Sequence, residues 1–295
     1  MNDTVGVVGL GIMGGAFAQH LAAAEVRTLG YDLLSAKVDA LIAQGGEGCS
    51  SPRAVAGEAD VVITSLPHSE ALEEALFGGD GIVAAGRPGI LLVETSTLPL
   101  EVREKARSRL AAAGISMLDA PVSGTGGQAK TKDISVFASG ERTDFERARG
   151  VLSHFARSVR YVGTFGDGSK IKYIANLLVA VHILAAAEAI VLGEKAGLDR
   201  ATLVDILADS AATSRMLEVR GPNMASGAYG VPMVTVDVFR KDLAIITDFA
   251  REAGAPVPMF STCVPLFEEL SALGLGGYDT AAVIAIVRRM AGLAS

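Results

Sequence analysis

Six residues near the start of the chain, Gly9-Leu10-Gly11-Ile12-Met13-Gly14, follow the apolar run Val5–Val8 and lead into a helical pattern. Three glycines at this spacing make a tight turn, let backbone amides approach a diphosphate, and let helix and strand pack closely. A diphosphate there would rest on unsatisfied amides at the positive end of a helix dipole. The candidate contacts are Gly9, Gly11, Ile12, Met13 and Gly14. Asp32 closes the second apolar run, 21 residues after Gly11. A carboxylate at that distance can accept hydrogen bonds from the hydroxyls of an adenosine ribose. It also repels a 2′-phosphate, and Leu33, Leu34, Ser35 and Ala36 supply no arginine. NAD is therefore the expected cofactor, with Lys37 leaving NADP as the lesser alternative. The same residues would equally serve a structural turn in which Asp32 caps a helix.

Such a turn needs a parallel sheet beneath it, and the chain carries the pattern of one. Val5–Val8, Thr28–Tyr31 and residues 61–66 and 90–93 read as strands, with 115–118, 134–138 and 159–162 as three more. Helical spacing of apolar residues separates them at 16–24, 35–43, 70–76 and 100–112. Strands that are solidly apolar, without alternation, favour a parallel sheet buried on both faces. After Gly168 the pattern becomes helical only: a long stretch at 170–196, then 201–207, 241–252, 265–273 and 280–290. The expected fold is α/β, an N-terminal Rossmann parallel sheet followed by an all-α domain joined by a long helix. Gly163, Gly166 and Gly168 punctuate the junction, which divides the chain into 1–162 for the nucleotide and 163–295 for substrate and dimerisation.

Composition narrows the function further. Half of the 295 residues are hydrophobic and the formal charge is −7, from 26 basic and 33 acidic side chains. A chain of this kind buries a sizeable core and offers no basic surface for nucleic acid. Cys49 and Cys263 lie far apart and the four histidines are scattered, so neither a disulfide framework nor a metal site is expected. The N-terminus lacks the order of a signal peptide, and the expected location is the cytoplasm. Residues 173–192 are apolar enough to suggest a membrane span, but Asn176, His182 and Glu188 interrupt them. Those groups are costly in lipid, so the stretch reads as a core helix with His182 as a core histidine. An apolar helix of this length also suggests a homodimer or homotetramer.

Four blocks, in this order and spacing, resemble the β-hydroxyacid dehydrogenase family. They are residues 8–14, Asp119-Ala120-Pro121-Val122-Ser123-Gly124, Gly166-Asp167-Gly168 with Lys172 and Asn176, and Lys241-Asp242-Leu243. The resemblance covers essentially the whole chain, and residues 214–224 and 237–243 look most similar to its threonate dehydrogenase branch. It implies metal-independent hydride transfer, in a cleft, between NAD(P) and a small 3-hydroxy carboxylic acid of the 3-hydroxyisobutyrate, glycerate or threonate type, with a lysine as general acid/base. Ser123 and Gly124 would bind the substrate carboxylate, with Thr125 beside them. Lys172 matches the family's catalytic lysine and Asn176 its partner one helical turn on. Lys241 matches a lysine near both substrate and nicotinamide. Ser96 and Thr97 match the segment by the nicotinamide ribose, and Leu66 and Pro67 the loop beside the adenosine.

The chemistry asks for the same residue types. Alcohol oxidation sends a hydride to a nicotinamide and a proton to a base, and a lysine can be that base where burial and other cations disfavour its charge. Residues four apart on a helix share a face, so Lys172 and Asn176 could reach one hydroxyl. Taken alone, Lys170 and Lys172 read as the solvated first turn of a helix, as most helical lysines are; the resemblance singles out Lys172 and leaves Lys170 solvated. It also argues against an imine reductase on a related scaffold, whose members usually replace this lysine, and against a non-catalytic nucleotide-binding module. Several positions depart from the family's usual residues: Phe17 and His20 on the first helix, Thr125 in place of a glycine, Lys132 in place of a loop glycine, and a single Asn176 where some members have two adjacent asparagines.

Overall fold

The computed structural model describes residues 4–293. The chain forms two compact units that divide between Lys172 and Tyr173, inside one helix.

In the first unit the described strands are β1 (Val5–Val8), β2 (Thr28–Tyr31), β3 (Glu47–Gly48), β4 (Val61–Thr64), β5 (Leu91–Glu94), β6 (Ser116–Asp119), β7 (Val122–Ser123), β8 (Ser135–Ser139) and β9 (Ser158–Gly163). They form one sheet. Its first six strands run parallel in the order β3-β2-β1-β4-β5-β6, which is the Rossmann arrangement. Both faces are covered. Val5, Val7, Ile63 and Val93 enter a core with Phe17, Leu21, Phe145 and Leu152. Val8, Val62 and Leu92 face the other way, against Val55, Leu72, Leu76 and Leu110. Hence the strands need no polar face, as their solid apolar runs imply.

The sheet stops being parallel at its far edge. β8 pairs antiparallel with β6 and β7, and β9 lies parallel to β8. Residues 124–134, which carry the short helix Gly126–Lys130, connect β7 to β8 and bring the chain back antiparallel beside it. Beyond the expected elements the structure adds β3, β7 and the helices Pro52–Glu58, Gly126–Lys130 and Arg142–Ser153.

The long helix, Asp167–Lys195, runs into the second unit. Arg200–Ala208, Arg215–Ser226, Val236–Glu252, Pro258–Ala272 and Val283–Met290 follow, with no strand among the described residues. By length and hydropathy this helix could cross a membrane. Its Ile183, Ala187 and Ile190 instead lie in a core with Phe239, Phe260, Phe267 and Ile284, whereas His182 is only half-buried. Two helices begin earlier than expected. Thr235 caps the first, its hydroxyl accepting from Val238 N at 3.3 Å, and the second opens on Pro258 and carries Pro265 within it.

The helix Gly126–Lys130 ends on a strained residue. Asp133 N–H donates to Gln128 O at 2.8 Å and Lys132 N–H to Ala129 O at 3.2 Å, the pair of bonds that closes a helix through a left-handed residue. Lys132 takes that conformation, at φ +60°, where an L side chain costs about 1–2 kcal/mol and glycine costs none. Lys132→Gly is expected to raise the unfolding free energy by about 1 kcal/mol. Urea denaturation followed by circular dichroism measures it, and an unchanged or lower midpoint contradicts it.

Candidate active site

The glycine turn sits where the strand order reverses, between the ends of β1 and β4, the place where open α/β sheets receive their ligands. Gly9 leaves β1 at φ +90°, and a Cβ there would lie 2.3 Å from Ser65 O. At Gly14, in the first turn of the helix Ile12–Ala23, a Cβ would lie 1.9 Å from Gly9 O. Both positions exclude a side chain because of the protein's own backbone. Gly11 is different: it is exposed, and a Cβ there would meet nothing within 4 Å among the described residues. Its bareness serves what lies outside the turn. The helix also starts with no side-chain cap and no acid in its first turn, which leaves its positive end for an anion. The residues present thus fit a dinucleotide diphosphate. Ile12 is exposed beside them and Met13 half-buried.

Asp32 follows β2 and reaches back to this turn. Its Oδ2 accepts from Leu10 N at 2.7 Å and its Oδ1 from Leu34 N at 2.9 Å. Asp32 thus braces the turn, but it does not cap the following helix, whose N-cap is Leu34 with no side-chain cap. Each carboxylate oxygen keeps further acceptor capacity, so holding the loop does not prevent Asp32 from receiving ribose hydroxyls.

The loops after β4 and β5 are tied together, Leu66 N donating to Ser96 Oγ at 2.8 Å. Pro67 is exposed and Thr97 half-buried. Beneath these loops lies a buried polar network to which sequence reasoning assigned no role. Glu94 Oε1 accepts from Ser96 N at 2.6 Å, and Glu94 Oε2 from the hydroxyl of Thr64. Arg103 donates to Ser96 O, to Glu94 O at 2.7 Å and to Asp119 Oδ1 at 2.6 Å. Ser139 and Ser169 complete the shell of Asp119. The one available signal was that Glu94 and Asp119 are acids closing apolar strands.

Ser123 ends β7 and is half-buried. Gly124 follows at φ +145°, where a Cβ would lie 2.5 Å from Ile134 Cγ2. Thr125 is buried and its hydroxyl is engaged locally: it accepts from Gln128 N at 3.3 Å, while Gln128 Oε1 accepts from Thr125 N at 3.0 Å. This capping box starts the helix Gly126–Lys130, which packs on the nucleotide helix. A Cβ on Gly126 would lie 2.3 Å from Ile12 Cγ2, and His20 Nε2 lies 2.9 Å from Ala129 O.

The two lysines near the start of the long helix differ. Lys172 is 8% exposed. The Lys170 side chain is 44% exposed and pairs with Asp167 at 3.0 Å, an interaction that holds the Asp167 carboxyl below the usual range. In the second unit Asn176 Nδ2 donates to Asp242 Oδ2 at 2.9 Å, both side chains buried. Lys241 Nζ lies 3.2 Å from Asp242 Oδ1. Asp242 thus joins two expected site residues. Its adjacency to Lys241 was the signal for it, but its contact with Asn176 spans 66 residues of chain.

Comparison with known proteins places these features in context. Residues 4–163 match the NAD binding domain of 6-phosphogluconate dehydrogenase, and residues 166–287 match the NAD-binding domain of NADP-dependent 3-hydroxyisobutyrate dehydrogenase. An L-threonate dehydrogenase from Cupriavidus necator is 38% identical over 287 residues, covering 97% of this chain and 96% of its own. A 3-hydroxyisobutyrate dehydrogenase from Pseudomonas aeruginosa is 34% identical over 272 residues, covering 89% and 90%. The crystal structure of a 3-hydroxyisobutyrate dehydrogenase from Salmonella typhimurium superposes with a TM-score of 0.88 at 35% identity, covering 96% of this chain and 99% of its own.

Gly14→Ala is expected to lower the thermal midpoint and to weaken NAD binding about tenfold or more, roughly 1.4 kcal/mol for each factor of ten. Calorimetric titration of the folded variant tests it, and affinity equal to the wild type rules it out.

Proposed function

The chain belongs to the β-hydroxyacid dehydrogenase family, and we propose that within it this protein oxidises a four-carbon acid of the L-threonate kind with NAD. It is an NAD(P)-dependent oxidoreductase acting on the CH–OH group of small hydroxy carboxylic acids. The threonate preference is supported by the 38% identity to an L-threonate dehydrogenase along nearly the whole chain. The preference for NAD rests on Asp32, whose fixed carboxylate at the end of β2 would repel a 2′-phosphate. Gly9, Gly11, Ile12, Met13, Gly14, Leu66, Pro67, Ser96 and Thr97 would hold the dinucleotide, and its nicotinamide supplies the hydride acceptor for alcohol oxidation.

One observation carries the assignment of the proton-handling group: Lys172 is buried, whereas Lys170 keeps much of its side chain in solvent. Burial in general disfavours the charged form of an amine, and a neutral Nζ is what can take a proton from the substrate hydroxyl. Asn176 follows one turn later on the same helix. A carboxylate only accepts hydrogen bonds, so Asp242 obliges Asn176 to present its amide nitrogen to it. That leaves Asn176 Oδ1 in a fixed direction for a hydroxyl. Ser123 Oγ and Gly124 N–H would receive the substrate carboxylate, and Lys241 adds positive charge for an anionic acid. Thr125 contributes by starting the helix that backs this loop. The exposed apolar residues Ile174, Leu178 and Leu192 of the long helix support a homodimer or homotetramer, and two distant free cysteines suit the cytoplasm.

Lys172→Ala is expected to reduce turnover by about 10²–10⁴-fold while NAD still binds; turnover within twofold of the wild type removes the assignment. Initial rates for L-threonate, glycerate, 3-hydroxyisobutyrate, 3-hydroxypropionate and L-serine with each cofactor decide the substrate. L-threonate with NAD is expected to give the highest kcat/KM, and a clear advantage for another acid or for NADP overturns that choice.

A further inference from the structure

The buried pair Arg103–Asp119 lies under the site without facing it, and the observations around it converge. Both side chains are 0% exposed and their charged groups lie 2.6 Å apart. Asp119 Oδ2 accepts from Ser169 N at 2.8 Å and from Ser139 Oγ at 2.9 Å, and Asp119 Oδ1 accepts from Ser169 Oγ at 2.7 Å. Ser139 Oγ in turn accepts from Gly168 N at 2.9 Å. The first turn of the helix Asp167–Lys195 is thus bound through two amides and one hydroxyl to the ends of β6 and β8. It has no room to slide: a Cβ on Gly168 would lie 2.2 Å from Phe137 O. Lys172 comes three residues after Ser169, on the same side of the helix. The other end of the pair grips the loop after β5, since Arg103 donates to both Ser96 O and Glu94 O.

We propose that Arg103, Asp119 and Ser169 are positioning residues that set the distance between the Lys172 amine and the nicotinamide-side segment Ser96–Thr97. The inference rests on the reading of Lys172 given above. Without these bonds the helix start would be tied to the sheet, among the described residues, only through Gly168 N and Ser139 Oγ, and Lys172 would sample directions unsuited to a hydroxyl held beside the cofactor. A misplacement of about 1 Å can lower turnover about 100-fold without any loss of binding. A purely structural role for these residues accounts for the same bonds but predicts no such selective effect.

Ser169→Ala is the discriminating variant, because it removes one hydroxyl and leaves the ion pair intact. In the folded full chain, with the acid that the wild type turns over fastest, kcat is expected to fall about tenfold or more, part of the 100-fold range for such misplacement. The KM values for acid and for NAD should move less than twofold. Asp119→Asn should show the same split more strongly; if it fails to fold, Ser169→Ala decides alone. Unchanged kcat in folded Ser169→Ala, or a fall matched by an equal loss of NAD affinity, overturns the proposal. Lys172→Ala measured alongside separates the two claims. If it is inactive while Ser169→Ala is unaffected, the lysine stands and the positioning role fails. If it retains turnover, the reading of the lysine fails, and the proposal with it.

Discussion

A charge pair sealed from water organises the first unit. Moving a carboxylate and a guanidinium into an apolar interior costs several kcal/mol for each ion, and the cost is met only when nearly every lone pair and proton finds a partner. Asp119 satisfies that demand with Arg103, Ser139 and Ser169, and Arg103 with Asp119 and two carbonyl oxygens. Arg103 Nε is the atom of the pair left without a bond. Because few arrangements meet so many requirements at once, the ends of β5, β6 and β8 and the start of the long helix hold one mutual geometry. Everything proposed about Lys172 presupposes that geometry.

Much of this was legible in the residues. The glycine turn, the solid apolar strands and the long helix declare a Rossmann unit and a helical one because each depends on local composition and period. What stayed hidden depends on distant neighbours. Arg103 stands in the run Glu101-Val102-Arg103-Glu104-Lys105-Ala106-Arg107, where nothing separates it from Arg107; only the sheet reveals that the first pairs with buried Asp119 and the second with Glu141 at the surface. The helices Arg215–Ser226 and Pro258–Ala272 carry Pro222 and Pro265 inside them, residues that normally end a helix, so the first went unseen and the second was expected to begin late. Arg142–Ser153 is polar enough to resemble a loop, although Phe145, Ala148 and Leu152 repeat at helical spacing and are buried.

Three of the departures from the family's usual residues meet at one segment. Thr125 starts the helix Gly126–Lys130 and Lys132 ends it. His20 holds that helix through Ala129 O. Phe17, from the same helix as His20, stacks on Phe155 at 4.3 Å between ring centroids. The segment after Thr125 is a capped helix docked on the nucleotide helix. The loop bearing Ser123 and Gly124 therefore inherits its position from the same helix that would hold the cofactor.

The three glycines of the opening turn answer to two separate demands. Gly9 and Gly14 are required by the fold's own backbone, so replacing either injures the empty protein and the loaded one alike. Gly11 meets no neighbour among the described residues, so a larger residue there makes no clash within the fold and is penalised chiefly when a ligand arrives. A lineage that gave up its dinucleotide could drift at position 11 while retaining 9 and 14, and that middle glycine is the part of the signature that records use.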